Sequence, residues 1–419
     1  MLLLLFLSLA SAEFLSEVVE NVDKSTFPEF CFEENVISCV LVRPNPTYLL
    51  SSSLELAGSL LELLDHPSEN TFTFATGDGD EAIFTIDKES GDIWGNAELA
   101  DGRDFVLEPS PDSCRGCHVW IEEDRKAFPP DYRIQLPPPT AEESRSLADW
   151  NSKKLALFAK GKEDKTTIVI FSVKVYYTPE VKQQVKNLPT MVDNVIAKTN
   201  QGYKNSQIPV RVKLHCLEQT KESEAQGMNT LLDFAFSKRD GSKLRGSADA
   251  AALLIMEHPE GSCGVGFMPG SLKPTEIANW DFPDSMISLS VARCATATPV
   301  FGHEISHNFG NDHDKFDTNK NIFPWGLGYH IPGLDVRTLM ASAREGYFKM
   351  INFYSNPDVK FKGVPTGVKG AANAARVIRE NRFAIAAIGD ESEECGSSSS
   401  SVDDEYDYGT VGRGGFFAK

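Results

Sequence analysis

Residues 303–314 read HEISHNFGNDHD and gather His303, His307 and His313, three of the eight histidines in the chain, into one short stretch. On a helix, His303 and His307 are four apart, so their imidazoles project from one face about one turn apart. Three histidine nitrogens with a fourth position left open form the ligand set of a catalytic zinc site; a structural site closes that position. Zn2+ is therefore the expected cofactor, and a water in the open position becomes acidic enough to ionise at neutral pH. Glu304 stands next to a ligand but projects at a different angle. It is placed to act as general base toward that water and then to carry the proton to a leaving amine. The competing reading, a helix with solvated histidines, fits poorly. H-E-x-x-H rarely arises by chance, and Gly310 and His313 at fixed offsets make it far rarer.

The surrounding residues are suited to hold these groups in place. Thr298-Pro299 is a good helix start, because a proline there loses no hydrogen bond. Phe301, Ile305 and Phe309 form a second stripe at helical spacing, suited to a core. Gly310 can take the left-handed conformation that ends a helix and swings the chain back, which brings His313 to the other two ligands. Before this helix lie TTIVIFSVKVYY, a helical pattern from about Pro179 to Lys204, IPVRVKLHC, AALLIME, CGVGFM and SMISLSVA, in other words one long helix among several short strands. That order implies a mixed sheet with helices packed on it.

The rest of the chain divides by composition. MLLLLFLSLASA reads as a secretory signal peptide over residues 1–12, ending in Ala10-Ser11-Ala12 but lacking a charged start. Residues 13–150 are β-rich, with short apolar runs between Gly and Asp turns, and they end in a linker rich in proline and charge over residues 127–162. The catalytic half is expected over 163–389. Residues 390–419 form an acidic, Ser- and Gly-rich tail with the composition of disorder. The net charge of −19 leaves no basic excess for a nucleic-acid partner. No later stretch is long and apolar enough to span a membrane. Secretion permits disulfides, and the eight cysteines are an even number.

H-E-x-x-H-x-x-G-x-x-H followed by a methionine, here Met340 in RTLMASA, resembles the metzincin signature. Asp314 and YSNPDVKFKGVPTG resemble its reprolysin (adamalysin) branch, as do VYYTPEV, NSQIPVRVKL and CGVGFM; together they cover roughly residues 165–390. GRDFVLEP and HVWIEED in the N-terminal half resemble a reprolysin-type propeptide more loosely. The resemblance implies an α+β fold, with a metzincin catalytic domain of twisted mixed sheet and packed helices preceded by a β-rich prodomain. It implies a zinc metalloendopeptidase made as a zymogen and acting on proteins or peptides. The substrate would lie extended and antiparallel to the edge strand CGVGFM. Met340 would form the floor under the ligands, and Arg344 and Lys349 would sit in the wall of the primary side-chain pocket, where a basic lining favours an acidic residue just after the cut. Some metzincins carry a tyrosine two residues after the methionine; here Ser342 stands there. The resemblance also pairs Cys263 with Cys294, and Cys216 and Cys395 are expected to tie the second strand to the end of the domain. Cys31 and Cys39 remain to bond each other.

Cys114, Cys117 and His118 in DSCRGCH have the C-x-x-C-H spacing of a covalent haem site. Strand-like surroundings weigh against haem, which leaves two readings open. One cysteine, with Cys117 favoured because His118 would lower its pKa, supplies a thiolate to the fourth zinc position and latches a zymogen. Alternatively, the two bond each other. The alternative function for the whole chain is a catalytically inactive metzincin-fold binding protein; the intact Glu304 argues against it.

Overall fold

The computed structural model describes most of residues 36–124, 148–226, 244–257, 262–269, 285–314 and 323–389, with short pieces before residue 36 and a strand at 132–135. The leader, Cys114, Cys395 and the acidic tail lie outside the described residues.

The N-terminal half is one nine-stranded antiparallel sheet in the order β1-β2-β9-β8-β7-β6-β5-β4-β3. Its strands are β1 (Glu17–Val18), β2 (Val36–Arg43), β3 (Ser53–Leu56), β4 (Ser59–Ser68), β5 (Thr71–Ala75), β6 (Glu81–Ile86), β7 (Ile93–Glu98), β8 (Asp104–Pro109) and β9 (His118–Glu123). The turns read from Gly and Asp connect them. Between β6 and β7, Asp87 Oδ1 accepts from the Glu89 amide at 2.8 Å, and Gly91 takes φ +78°. Phe14, Leu61, Phe74, Phe84 and Leu107 are among the side chains that fill the core of this sheet.

The second sheet runs β10-β14-β15-β13-β11-β12, with β10 (Tyr132–Gln135), β11 (Val169–Tyr177), β12 (Val210–Gln219), β13 (Ala250–Ile255), β14 (Gly264–Met268) and β15 (Ile287–Val291). β11, β12, β13 and β15 are mutually parallel, and β14 is antiparallel to β15. Six helices accompany the sheet among the described residues: α1 (Ala148–Glu163), α2 (Pro179–Gln184), α3 (Leu188–Asn205), α4 (Ala292–Ala297), α5 (Val300–Asn308) and α6 (Ala374–Ile385). The helix expected from Pro179 to Lys204 is in fact two. Asn187 takes φ +46° between them, and its amide donates to Asp87 Oδ2 at 2.6 Å, while Pro189 starts the second.

The segment read as a linker is more structured than its composition suggests. Residues 132–135 join the second sheet, and Ala148–Glu163 is a helix rich in Ala, Leu and Lys that docks on α6. Gly161 permits that contact, since a Cβ there would come within 2.2 Å of the Glu380 carbonyl oxygen. Arg382 on α6 donates to the Asp164 carbonyl at 2.8 Å.

The two halves also share an interior. Trp94 of β7 is buried in the core of the second half and donates Nε1 to the Lys186 carbonyl at 3.0 Å. Asn194 on α3 donates to the Ile83 and Trp94 carbonyls. Ion pairs cross the boundary at Arg293–Glu123 (3.2 Å) and Lys349–Asp104 (3.4 Å). α3 is thus packed on opposite flanks by two different sheets, which accounts for its near-complete burial.

Candidate active site

α5 begins at Val300, directly after Pro299, and Gly310 leaves it at φ +96°. Phe301, Ile305 and Phe309 are all buried, and the Phe309 ring lies 5.3 Å from that of Phe171 on β11. This apolar stripe fixes the rotation of the helix, so that the opposite side presents His303, Glu304 and His307. Asn308 locks the end of the helix. Its side-chain amide lies 2.8–2.9 Å from the carbonyls of Phe267, Ser285 and Ile287, tying α5 to β14, β15 and the residue that leads into β15. This clamp was not legible in the sequence, because an Asn at a helix end usually reads as a cap.

The three imidazoles converge. His303 Nε2 lies 3.1 Å from His307 Nε2 and 3.2 Å from His313 Nε2, and the ligand atoms of all three lie within 4.8 Å of one another. The Nδ1 atoms of His303 and His307 donate to the carbonyls of Leu339 (2.6 Å) and Asn311 (2.9 Å). Those bonds place the protons on Nδ1 and turn the Nε2 lone pairs toward one focus. Lone pairs so close repel, whereas a cation at the focus converts the repulsion into coordination. Nitrogens about 2.05 Å from a tetrahedral zinc stand about 3.3 Å apart, close to the separations found. Burial, then the neighbouring His313 and the Arg337 charge, hold His303 well below the usual imidazole range, so it is in the neutral form that binds metal.

Glu304 is fully buried, with its carboxylate against the backbone of β14. A Cβ at Gly264 would stand 2.5 Å from Glu304 Oε1, and one at Gly266 would stand 2.7 Å from His307 Cβ. These two glycines let the strand pass directly over the site. Gly264→Ala is therefore expected to keep the metal but push the carboxylate aside, lowering kcat by about tenfold to a hundredfold at unchanged zinc content. Stopped-flow turnover alongside metal analysis checks this, and unchanged kcat would detach Glu304 from the chemistry.

Met340 is buried in the turn directly after Leu339, whose carbonyl holds His303. Ser342 donates its amide to Asp314 Oδ2 at 3.1 Å, so the residue at the expected tyrosine position serves the turn. Cys263 and Cys294 are bonded to each other, joining the approach to β14 with α4, and Cys31 is bonded to Cys39. Cys216 is disulfide-bonded.

The thiolate latch through Cys117 does not stand. Cys117 is buried and disulfide-bonded, and no free cysteine occurs among the described residues. Nor does His118 favour a thiolate. Its Nδ1 donates to the Gly116 carbonyl and its Nε2 accepts from the Ile93 amide at 2.8 Å, and burial pulls its pKa down to about 4. The same bonds remove it as a haem ligand. Of the two basic pocket candidates, Arg344 stacks over the Tyr347 ring at 4.8 Å. Lys349 is turned toward the N-terminal half, where its Nζ meets Asp104 and, at 2.5 Å, the Leu99 carbonyl.

Three convergent imidazoles beside a buried carboxylate under a sheet edge define a metallopeptidase centre. Residues 169–329 match the family model Reprolysin_5, Metallo-peptidase family M12. The chain is 28% identical over 339 residues to the Peptidyl-Asp metalloendopeptidase of Stenotrophomonas maltophilia (strain K279a), covering 77% of this chain and 75% of that protein. It is 30% identical over 212 residues to the protein of the same name from Xanthomonas campestris pv. campestris, covering 48% and 47%. Metalloproteinase-II from Bacteroides fragilis superposes over 73% of this chain and 82% of its own at 12% identity and a TM-score of 0.34, too loose a match to carry weight. The chain is a zinc metalloendopeptidase of the metzincin type.

Proposed function

We propose that this chain is the secreted zymogen of a zinc endopeptidase that cuts beside acidic residues, with Glu304 as general base. The observation that carries the chemistry is the single focus of His303, His307 and His313 beside the Glu304 carboxylate, beneath Gly264 of β14. His303, His307 and His313 would hold a zinc ion, which would supply Lewis acidity and make a water acidic enough to react. Glu304 takes a proton at one carboxylate oxygen and delivers it to the departing amine. β14 offers main-chain groups to an extended substrate, and Asn308 and the disulfide Cys263–Cys294 keep strand and helix in register.

Latency is supported by β10. It lies alongside β14 in parallel, with Tyr132 opposite Val265, Arg133 opposite Gly266 and Ile134 opposite Phe267. A substrate antiparallel to β14 would run the other way. The linker main chain therefore takes the substrate's place with its amide polarity inverted, so no carbonyl–nitrogen pair is presented to Glu304 in productive order. Lys153 and Lys154, the dibasic pair read from the sequence as a processing candidate, lie in α1.

Export is supported by the apolar leader and by the disulfides. No helix among the described residues is long and apolar enough to cross a membrane. Acid preference is supported by the relatives' name and by Arg337 and Arg344, which flank Met340 in the chain. Digestion of a peptide library by the processed enzyme tests it: cuts should cluster beside Asp, and an even spread across residue types would contradict the reading.

A further inference from the structure

The turn under the histidine cluster is flanked by two arginines, Arg337 and Arg344. β16 (His330–Ile331), β17 (Val336–Arg337) and β18 (Lys349–Met350) form a small sheet that sets Arg337 opposite His330 on one side and Met350 on the other. From Arg337 the chain passes through Met340 to Ser342, and successive carbonyls hold the site together. Leu339 O accepts from His303 Nδ1, Ala341 O accepts from Arg337 Nη1, and Ser342 O lies 2.9 Å from His330 Nε2. The carbonyl that anchors the Arg337 guanidinium is thus only two residues from the one that seats a metal ligand.

A substrate side chain next to the scissile bond leaves the main chain within one residue of the metal, so its tip falls within reach of this turn. What it meets there is a half-buried guanidinium whose fork is oriented by Ala341. Such a group costs little ordering entropy on binding, and its planar donors match a carboxylate. Arg344 adds a second charge, lying over the Tyr347 ring, whose centroid is 5.0 Å from that of His330; burial holds His330 toward its neutral form. Asp314 is the acid of this group; it is engaged by the Ser342 amide and lies 3.7 Å from His330 Nδ1. In the unprocessed chain Lys349 is held by Asp104 and Leu99 of the N-terminal half.

We propose that Arg337 is the specificity residue that reads an acidic side chain beside the cut, with Arg344 reinforcing its charge. This rests on the acid preference proposed above. The test compares processed wild type, Arg337→Gln and Arg337→Lys on two fluorogenic peptides that differ only by Asp or Asn at the reading position. Wild type should favour the Asp peptide. In Arg337→Gln the Asp-over-Asn ratio of kcat/KM should fall about a hundredfold, whatever the change common to both peptides, because a site built to pair a carboxylate loses that partner. Arg337→Lys should keep part of the ratio, mostly through a higher KM, and carries the test alone should the glutamine variant not fold. If Arg337→Gln and Arg337→Lys both retain the wild-type ratio, the assignment to Arg337 falls and the acid preference stands. If wild type itself shows no ratio, both fall.

Discussion

Glu304→Gln is expected to retain one zinc per chain and to lose about three orders of magnitude in kcat. Glutamine is nearly isosteric, so it fits the fully buried space against Gly264 and leaves the histidines and their carbonyl partners untouched. What disappears is the proton acceptor, and general-base contributions run at about a hundredfold to ten-thousandfold. Because the base acts on the reacting water, the loss should appear equally in kcat and kcat/KM, with KM near its wild-type value. Metal analysis and single-turnover cleavage of the processed variant measure both quantities. Turnover near wild type would remove Glu304 from the mechanism.

The second large effect concerns the strand that lies in the cleft. Ile134→Pro in the unprocessed chain is expected to raise peptidase activity by about tenfold to a hundredfold. Proline cannot donate to the ladder with β14 and does not tolerate the middle of a paired strand. Losing one or two main-chain bonds, at roughly 1 kcal/mol each plus local distortion, moves the paired and released populations by about that factor. The contacts through Trp94, Arg293 and Lys349 lie elsewhere and should hold the N-terminal half in place. Activity that stays at the wild-type zymogen level would mean that β10 is not what blocks the cleft.

These two sites differ in how far they could be read from the chain. The histidines and Glu304 were legible because a local spacing sets them: one helix, one apolar stripe and one glycine turn bring every group together within a few residues. Long-range pairings left no such trace. β10 sits in a proline-rich segment, and its partner is a strand more than a hundred residues away, so its four residues carry no pattern that marks them as part of the second sheet. Gly264 and Gly266 look like ordinary strand glycines until the helix beneath them is in place. Arg337 lies before Met340 rather than after it, and only the pairing of β16, β17 and β18 brings it to the site. The latch reading of Cys117 failed for the reverse reason, while the disulfide reading beside it agrees with a bonded Cys117. A local spacing suggested reactivity, whereas burial, a disulfide and the hydrogen bonds of His118 make the position structural.

The most direct test of the account is a zinc titration of the processed enzyme. Protein stripped with a strong chelator should have no peptidase activity, and zinc added back should restore it linearly up to one equivalent per chain. His307→Ala, which removes one of the three convergent nitrogens, should show no such break point. Peptide hydrolysis by the metal-free protein, or full restoration in His307→Ala at one equivalent, would contradict it.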